Sequence, residues 1–140
     1  MKQSLAILLL AVVAFTPSCS RDPATSSSSA SASEVTFLAL PSDSKSVRYW
    51  NHWHNRIAVF ETSEADFRSA FPSIIFEEIK EPKSYYVGGF GDTSKSPWRQ
   101  NIRAEASSGL FYEQIAENGG GETILYDRAA GTGFYEYAAW

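Results

Sequence analysis

The 140-residue chain has one cysteine, one methionine and two histidines. A single thiol excludes an intramolecular disulfide, so the covalent framework of many small exported domains is closed to it. With no cysteine beyond Cys19, metal chemistry in the rest of the chain would fall to two imidazoles and carboxylates. No apolar run reaches the ~20 residues that a membrane-spanning helix needs. Positive charge is also scarce, with 12 Lys and Arg against 16 Asp and Glu and a net charge of −4. Setting aside Lys2, Arg21 and Asp22 leaves 10 against 15, a net of −5 over residues 34–140. These charges are interspersed, which suits solubility and speaks against nucleic acid or an anionic membrane surface as partner of the globular part. No G-x-S-x-G elbow occurs, and no internal repeat.

What is present begins with MKQSLAILLLAVVAFTPSCSRD. Lys2 supplies a positive start, and Leu5 to Phe15 form an uninterrupted apolar stretch of 11 residues. That is the length of a signal-peptide core and too short to span a bilayer. Pro17 then breaks the helix, because its ring clashes with the preceding turn and it lacks an N–H. Small residues follow at Ser18 and Ser20. Residues 1–18 are therefore expected to be an export signal.

The stretch Thr16-Pro17-Ser18-Cys19 resembles the end of bacterial lipoprotein signal peptides, in which a cysteine closing the apolar run is lipidated and becomes the mature N-terminus. Ser18 and Cys19 match that pattern, while Thr16 stands where the family has an aliphatic residue and Pro17 where it has a small one. The resemblance implies lipidation at Cys19 and residence at a membrane through several acyl chains, which is what stable anchoring takes. With Ser20 following the cysteine, it also implies the outer membrane in a Gram-negative cell. The other reading of the same residues is cleavage after Ser20 and simple release to the periplasm or medium. Behind Cys19 lies RDPATSSSSASASE, and residues 19–33 are expected to be the lipidation site and a flexible Ser-rich tether.

Residues 34–140 then form one domain's worth of chain, enough for a single modest core. Nineteen of its residues are Phe, Trp or Tyr. Rings of that size build cores in small domains without disulfides, and they also make exposed strips for sugars or proteins.

The pattern along this region predicts mostly strands. VTFLAL (35–40), SVRYW (46–50) and RIAVFE (56–61) are three, the last two joined as a hairpin by the five-residue loop NHWHN. TSEADFRSAF predicts a helix capped by Ser63, with Phe67 and Phe71 on its apolar face and Pro72 as its stop. SIIFEEI (73–79) and SYYVGGF (84–90) predict two further strands. LFYEQIA, ETILYDR and FYEYAAW, separated by Gly-rich reversals, predict a C-terminal meander, with a short helix capped by Gly119 as the other reading of LFYEQIAEN. The fold class is thus α+β: a small antiparallel sheet of about five to seven strands with one short helix on one face.

Candidate sites are few. His52 and His54 fall on one face of an extended backbone, as metal-binding pairs do, but zinc needs a third ligand and no spaced carboxylate announces itself. GGFGD (88–92) lacks the G-x-G-x-x-G spacing of a phosphate loop. Glu77 and Glu78 are adjacent, so on a strand they point to opposite faces, a poor geometry for paired carboxylates acting on one sugar. Phe134, Glu136, Ala138 and Trp140 share a face, and Glu136 interrupts the apolar stripe of a lipid-facing barrel strand. The expectation is a lipid-anchored envelope protein that binds a protein or small ligand without catalysis and without a cofactor. Two alternatives stand beside it: a small metalloenzyme or hydrolase using His52 and His54, and a secreted carbohydrate binder using Tyr85, Tyr86 or Trp98.

Overall fold

Alternating apolar positions and Gly-rich reversals shape most of this chain into antiparallel strands. The computed structural model of the protein describes residues 25–87 and 102–139. The predicted strands and signals at Cys19, Trp98 and residues 88–92 lie, in whole or part, outside those residues.

The hairpin β2 (Lys45–Asn51) and β3 (Asn55–Glu61) is preceded by β1 (Thr25–Ala30), which pairs antiparallel with β2. After β3 comes α1 (Glu64–Ala70), then the two-residue β4 (Glu77–Glu78). A separate ribbon follows, β5 (Lys83–Val87) with β6 (Ile102–Ala106), and then the meander β7 (Gly109–Ile115), β8 (Gly121–Asp127) and β9 (Thr132–Ala138). The main sheet has seven strands in the order β1-β2-β3-β9-β8-β7-β4, every described pair antiparallel. This is the expected α+β class, with the sheet, the helix on one face and the meander in place.

The helix forms where its cap predicts. Ser63 Oγ accepts from the Asp66 N–H at 3.1 Å, satisfying one of the unpaired donors of the first turn. Phe67 is fully buried and sits within 6.1 Å, centroid to centroid, of Phe60, Phe71, Phe76 and Tyr126. The abundant aromatics of this face therefore build the core under the helix. Ala58, Phe60, Leu110, Ile124, Tyr126 and Tyr135 supply its floor, and Val35 with half-buried Phe37, Leu38 and Leu40 packs beside the helix. The opposite face holds a smaller cluster of Ile57, Val59, Leu125 and Phe134. Ile79 and Ala106 close over it, and Lys83 Nζ lies 3.9 Å from the Phe111 ring centroid.

Three expectations are corrected. Residues 21–33 were expected to be linker throughout, yet Thr25–Ala30 form an edge strand and Ala32–Glu34 a 3-10 turn. Strand pairing uses backbone groups, so a serine tract can pair wherever a neighbour offers an open edge. VTFLAL, expected as a strand, adopts none and instead spreads its apolar side chains over the first face. SIIFEEI pairs only at Glu77 and Glu78, because Ile74 and Phe76 are drawn into the helix-side cluster and Ile79 into the other.

The register also defines the ends of the sheet. Thr25 pairs with Asn51, Asn55 with Ala138, Ala138 with Gly121, and Gly121 with Ile115. The chain's entry into the sheet, the β2–β3 turn, the end of β9 and the β7–β8 turn therefore share one rim.

Candidate functional site

The β2–β3 turn is tighter than the predicted five-residue loop. His52 N–H donates to Asn55 O at 2.9 Å and Asn55 N–H returns to His52 O at 3.1 Å, leaving Trp53 and His54 at the tip. Ala139 N–H donates to His54 O at 2.7 Å and pins the turn to the end of β9. The two imidazoles do come together, with centroids 5.5 Å apart, and His52 stacks on Trp50 at 6.3 Å. Among the described residues, however, no group of three or more His, Cys, Asp or Glu is placed to hold a metal. What surrounds the pair is aromatic, not acidic.

Just inside this turn, buried Asn55 donates its Nδ2 to Glu136 Oε1 at 3.1 Å. Burial pushes the Glu136 carboxyl above the usual range, and the Asn55 bond opposes that only in part. Ile57 and Thr123 flank Glu136 on the neighbouring strands. This is the residue that interrupts the apolar stripe of β9, and its amide partner explains how it is tolerated.

On the helix side of the same rim, an open cleft of about 360 Å³ lies between the β7–β8 turn and the end of β9. Gln114, Asn118, Glu122 and Tyr137 give it its polar and aromatic character. Glu122 and Tyr137 are direct partners across β8 and β9, which is why they meet. The Gln114 amide is fixed by the Tyr112 hydroxyl, which donates to its Oε1 at 2.9 Å. Asn118 holds the turn by accepting from Gly120 N–H, and Gly119 takes the positive φ of 85° that the reversal needs. Tyr135, two residues before Tyr137 and so on the same face of β9, lies near the Glu122 carboxylate. Burial, and then the charge of Glu122, keep that phenol protonated well above its ordinary range. The Arg56 guanidinium carbon lies 5.6 Å from the Tyr137 ring centroid, and its buried Nε meets no acceptor among the described residues.

A carboxylate, a fixed amide and a phenol thus border one hollow, with Arg56 against the ring of that phenol. Such a set offers hydrogen-bond donors and acceptors beside the flat surface of the Tyr137 ring. A second hollow, about 550 Å³, separates the 39–43 loop from α1, with Asp43, Asp66 and Ser69 on its walls.

The sequence reading singled out His52, His54, Glu77 and Glu78 but none of the cleft's own residues. Glu77 and Glu78 pair with Phe111 and Leu110 on β7, away from the cleft. Tyr85 and Tyr86 lie on β5, and Cys19 and Trp98 fall outside the described residues. Neither a family model, nor a curated protein, nor a solved structure matches this chain.

Proposed function

We propose that the protein is a lipid-anchored envelope domain that binds a small, hydrogen-bonding ligand in the cleft of Gln114, Glu122 and Tyr137. The observation that carries the binding part is the cleft itself: donor, acceptor and aromatic groups converge on a hollow of ligand size. The anchoring part rests on the Ser18-Cys19 signature at the end of an 11-residue apolar run. Acyl chains on Cys19 would hold the domain at the membrane, and the sheet would present the cleft there.

Mass spectrometry of the mature N-terminus tests the anchor: acyl mass on Cys19 is expected, and a chain starting at or beyond Ser20 without it defeats the reading. For the cleft, the side-chain amide signals of Gln114 and Asn118 would be followed by NMR during titration with neutral disaccharides and dipeptides. A shift confined to these residues and lost in Tyr137→Ala is the expected result. Shifts elsewhere only, or none across the panel, would set the cleft aside.

A further inference from the structure

We infer that the His52–Asn55 turn is a membrane-contacting tip, with Trp53 seated at the headgroup level of the leaflet that holds the anchor. The inference rests on lipidation at Cys19, as proposed above, and adds an orientation to it. Only five residues separate Cys19 from Thr25, the first residue of β1. Fully extended, that stretch reaches at most about 20 Å. An anchor so short selects which end of the sheet lies near the bilayer. Because Thr25 pairs with Asn51, that end is the rim carrying the β2–β3 turn.

The same rim holds two of the three large hydrophobic side chains most exposed among the described residues. Trp53 is 47% exposed at the tip, and Ile115 is 68% exposed at the end of β7. Three strand spacings separate β3 from β7, roughly 14 Å across the rim. Tryptophan favours the boundary between water and acyl chains, where its ring is apolar and its N–H finds a partner. The turn that presents it is held by the paired His52–Asn55 bonds and by Ala139, so the tip is built to project. Among the described residues, the rim's ionisable groups are His52, His54, Arg56, Glu117 and the cleft's Glu122, with no lysine. A single guanidinium set among carboxylates makes no basic patch, which matches a zwitterionic surface rather than attraction to anionic lipid.

The full chain, acylated on Cys19 and reconstituted into phosphatidylcholine vesicles, provides the test. An environment-sensitive fluorophore is placed at Trp53→Cys, and separately at Ser42→Cys near the start of β2. Brominated lipids are expected to quench the probe at 53 several-fold more than the probe at 42. Inserting a long Gly-Ser segment after Ser20 should reduce that ratio toward one, since the orientation comes from the short tether. Equal quenching at both sites on a chain of confirmed acyl mass overturns this orientation and leaves the anchor standing. Absence of acyl mass removes the anchor, and the orientation with it.

Discussion

Arg128 Nε donates to Glu64 Oε2 at 2.6 Å, joining the β8–β9 turn to the first turn of α1 across 64 residues of chain. Arg128 Nη2 also reaches Glu78 on β4 at 3.0 Å, and Arg68 bridges the same two carboxylates from the helix. Two cations and two anions thus clamp helix, edge strand and turn at one place. The Arg128 hydrogen bond, more than any other contact, holds the Glu64 carboxyl below the usual range. Its folded value is depressed, so its contribution is complete above the ordinary carboxylate pKa and is lost as pH falls through the folded value.

The first prediction follows from that clamp. Glu64→Gln should lower the urea midpoint near neutral pH by an amount worth about 1 kcal/mol or less, since the groups are partly solvated. The gap between variant and native protein should narrow as pH is lowered below the ordinary carboxylate range and through the depressed folded value, where the native carboxylate takes up its proton. It should also narrow in high salt. A gap independent of pH would mean that packing, not charge, is what Glu64 provides.

Glu136 predicts the opposite slope. Its folded pKa is raised, so its share of stability is present below the ordinary carboxylate range and is lost as pH rises through the folded value. Glu136→Gln keeps an acceptor for Asn55 Nδ2 and removes the buried charge. It should therefore raise the urea midpoint near neutral pH and flatten the loss of stability just above the carboxylate range. A variant less stable than the native protein at every pH would show that the carboxylate has a partner worth more than its burial costs.

Gly133 lies under the helix because nothing larger fits. A Cβ there would stand 2.8 Å from Phe60 Cζ and 2.9 Å from Phe67 Cδ2. Gly133→Ala should cost about 1–3 kcal/mol by overpacking, read as a lowered chemical-denaturation midpoint. Combining it with Phe60→Leu should recover part of that loss, because the smaller side chain vacates the contact. Strict additivity of the two changes would contradict the steric account.

Tyr126 provides a polar counterpart in the same core. Its hydroxyl donates to the Thr62 carbonyl at 3.0 Å, fixing the loop between β3 and α1. Tyr126→Phe keeps the ring against Phe67 and should cost about 1 kcal/mol, the net worth of one such bond. Near-UV circular dichroism should change little. Collapse of that signal would mean the hydroxyl organises the aromatic cluster itself.

Elements with a strong local signal were legible. The Ser63 cap, the Phe67–Phe71 spacing and the Gly-separated meander were each written within ten or so residues, and each formed. Elements whose state depends on a distant neighbour were not. β1 is a serine tract that pairs because β2 has an open edge, and that edge is invisible from TSSSSA alone. β6, from Ile102 to Ala106, alternates apolar and charged residues but sat beside a loop-like composition that masked it. The cleft was hidden for the same reason. Glu122 and Tyr137 are fifteen positions apart and meet only through the β8–β9 register, so no motif could announce them. His52 and His54 were conspicuous by type, yet their surroundings proved to be aromatic rings.

The order of strands has a consequence in time. β9, the last of the described strands in chain order, occupies the middle of the sheet, paired with β3 on one side and β8 on the other. Until it arrives, the β1–β2–β3 half and the β7–β8 half share no ladder. The β3–β9 pairing joins residues about eighty positions apart, a separation that favours slow, late closure over growth from the N-terminus. A nascent chain therefore waits for β9 before it can form one sheet, and truncation within Thr132–Ala138 divides the sheet at its centre.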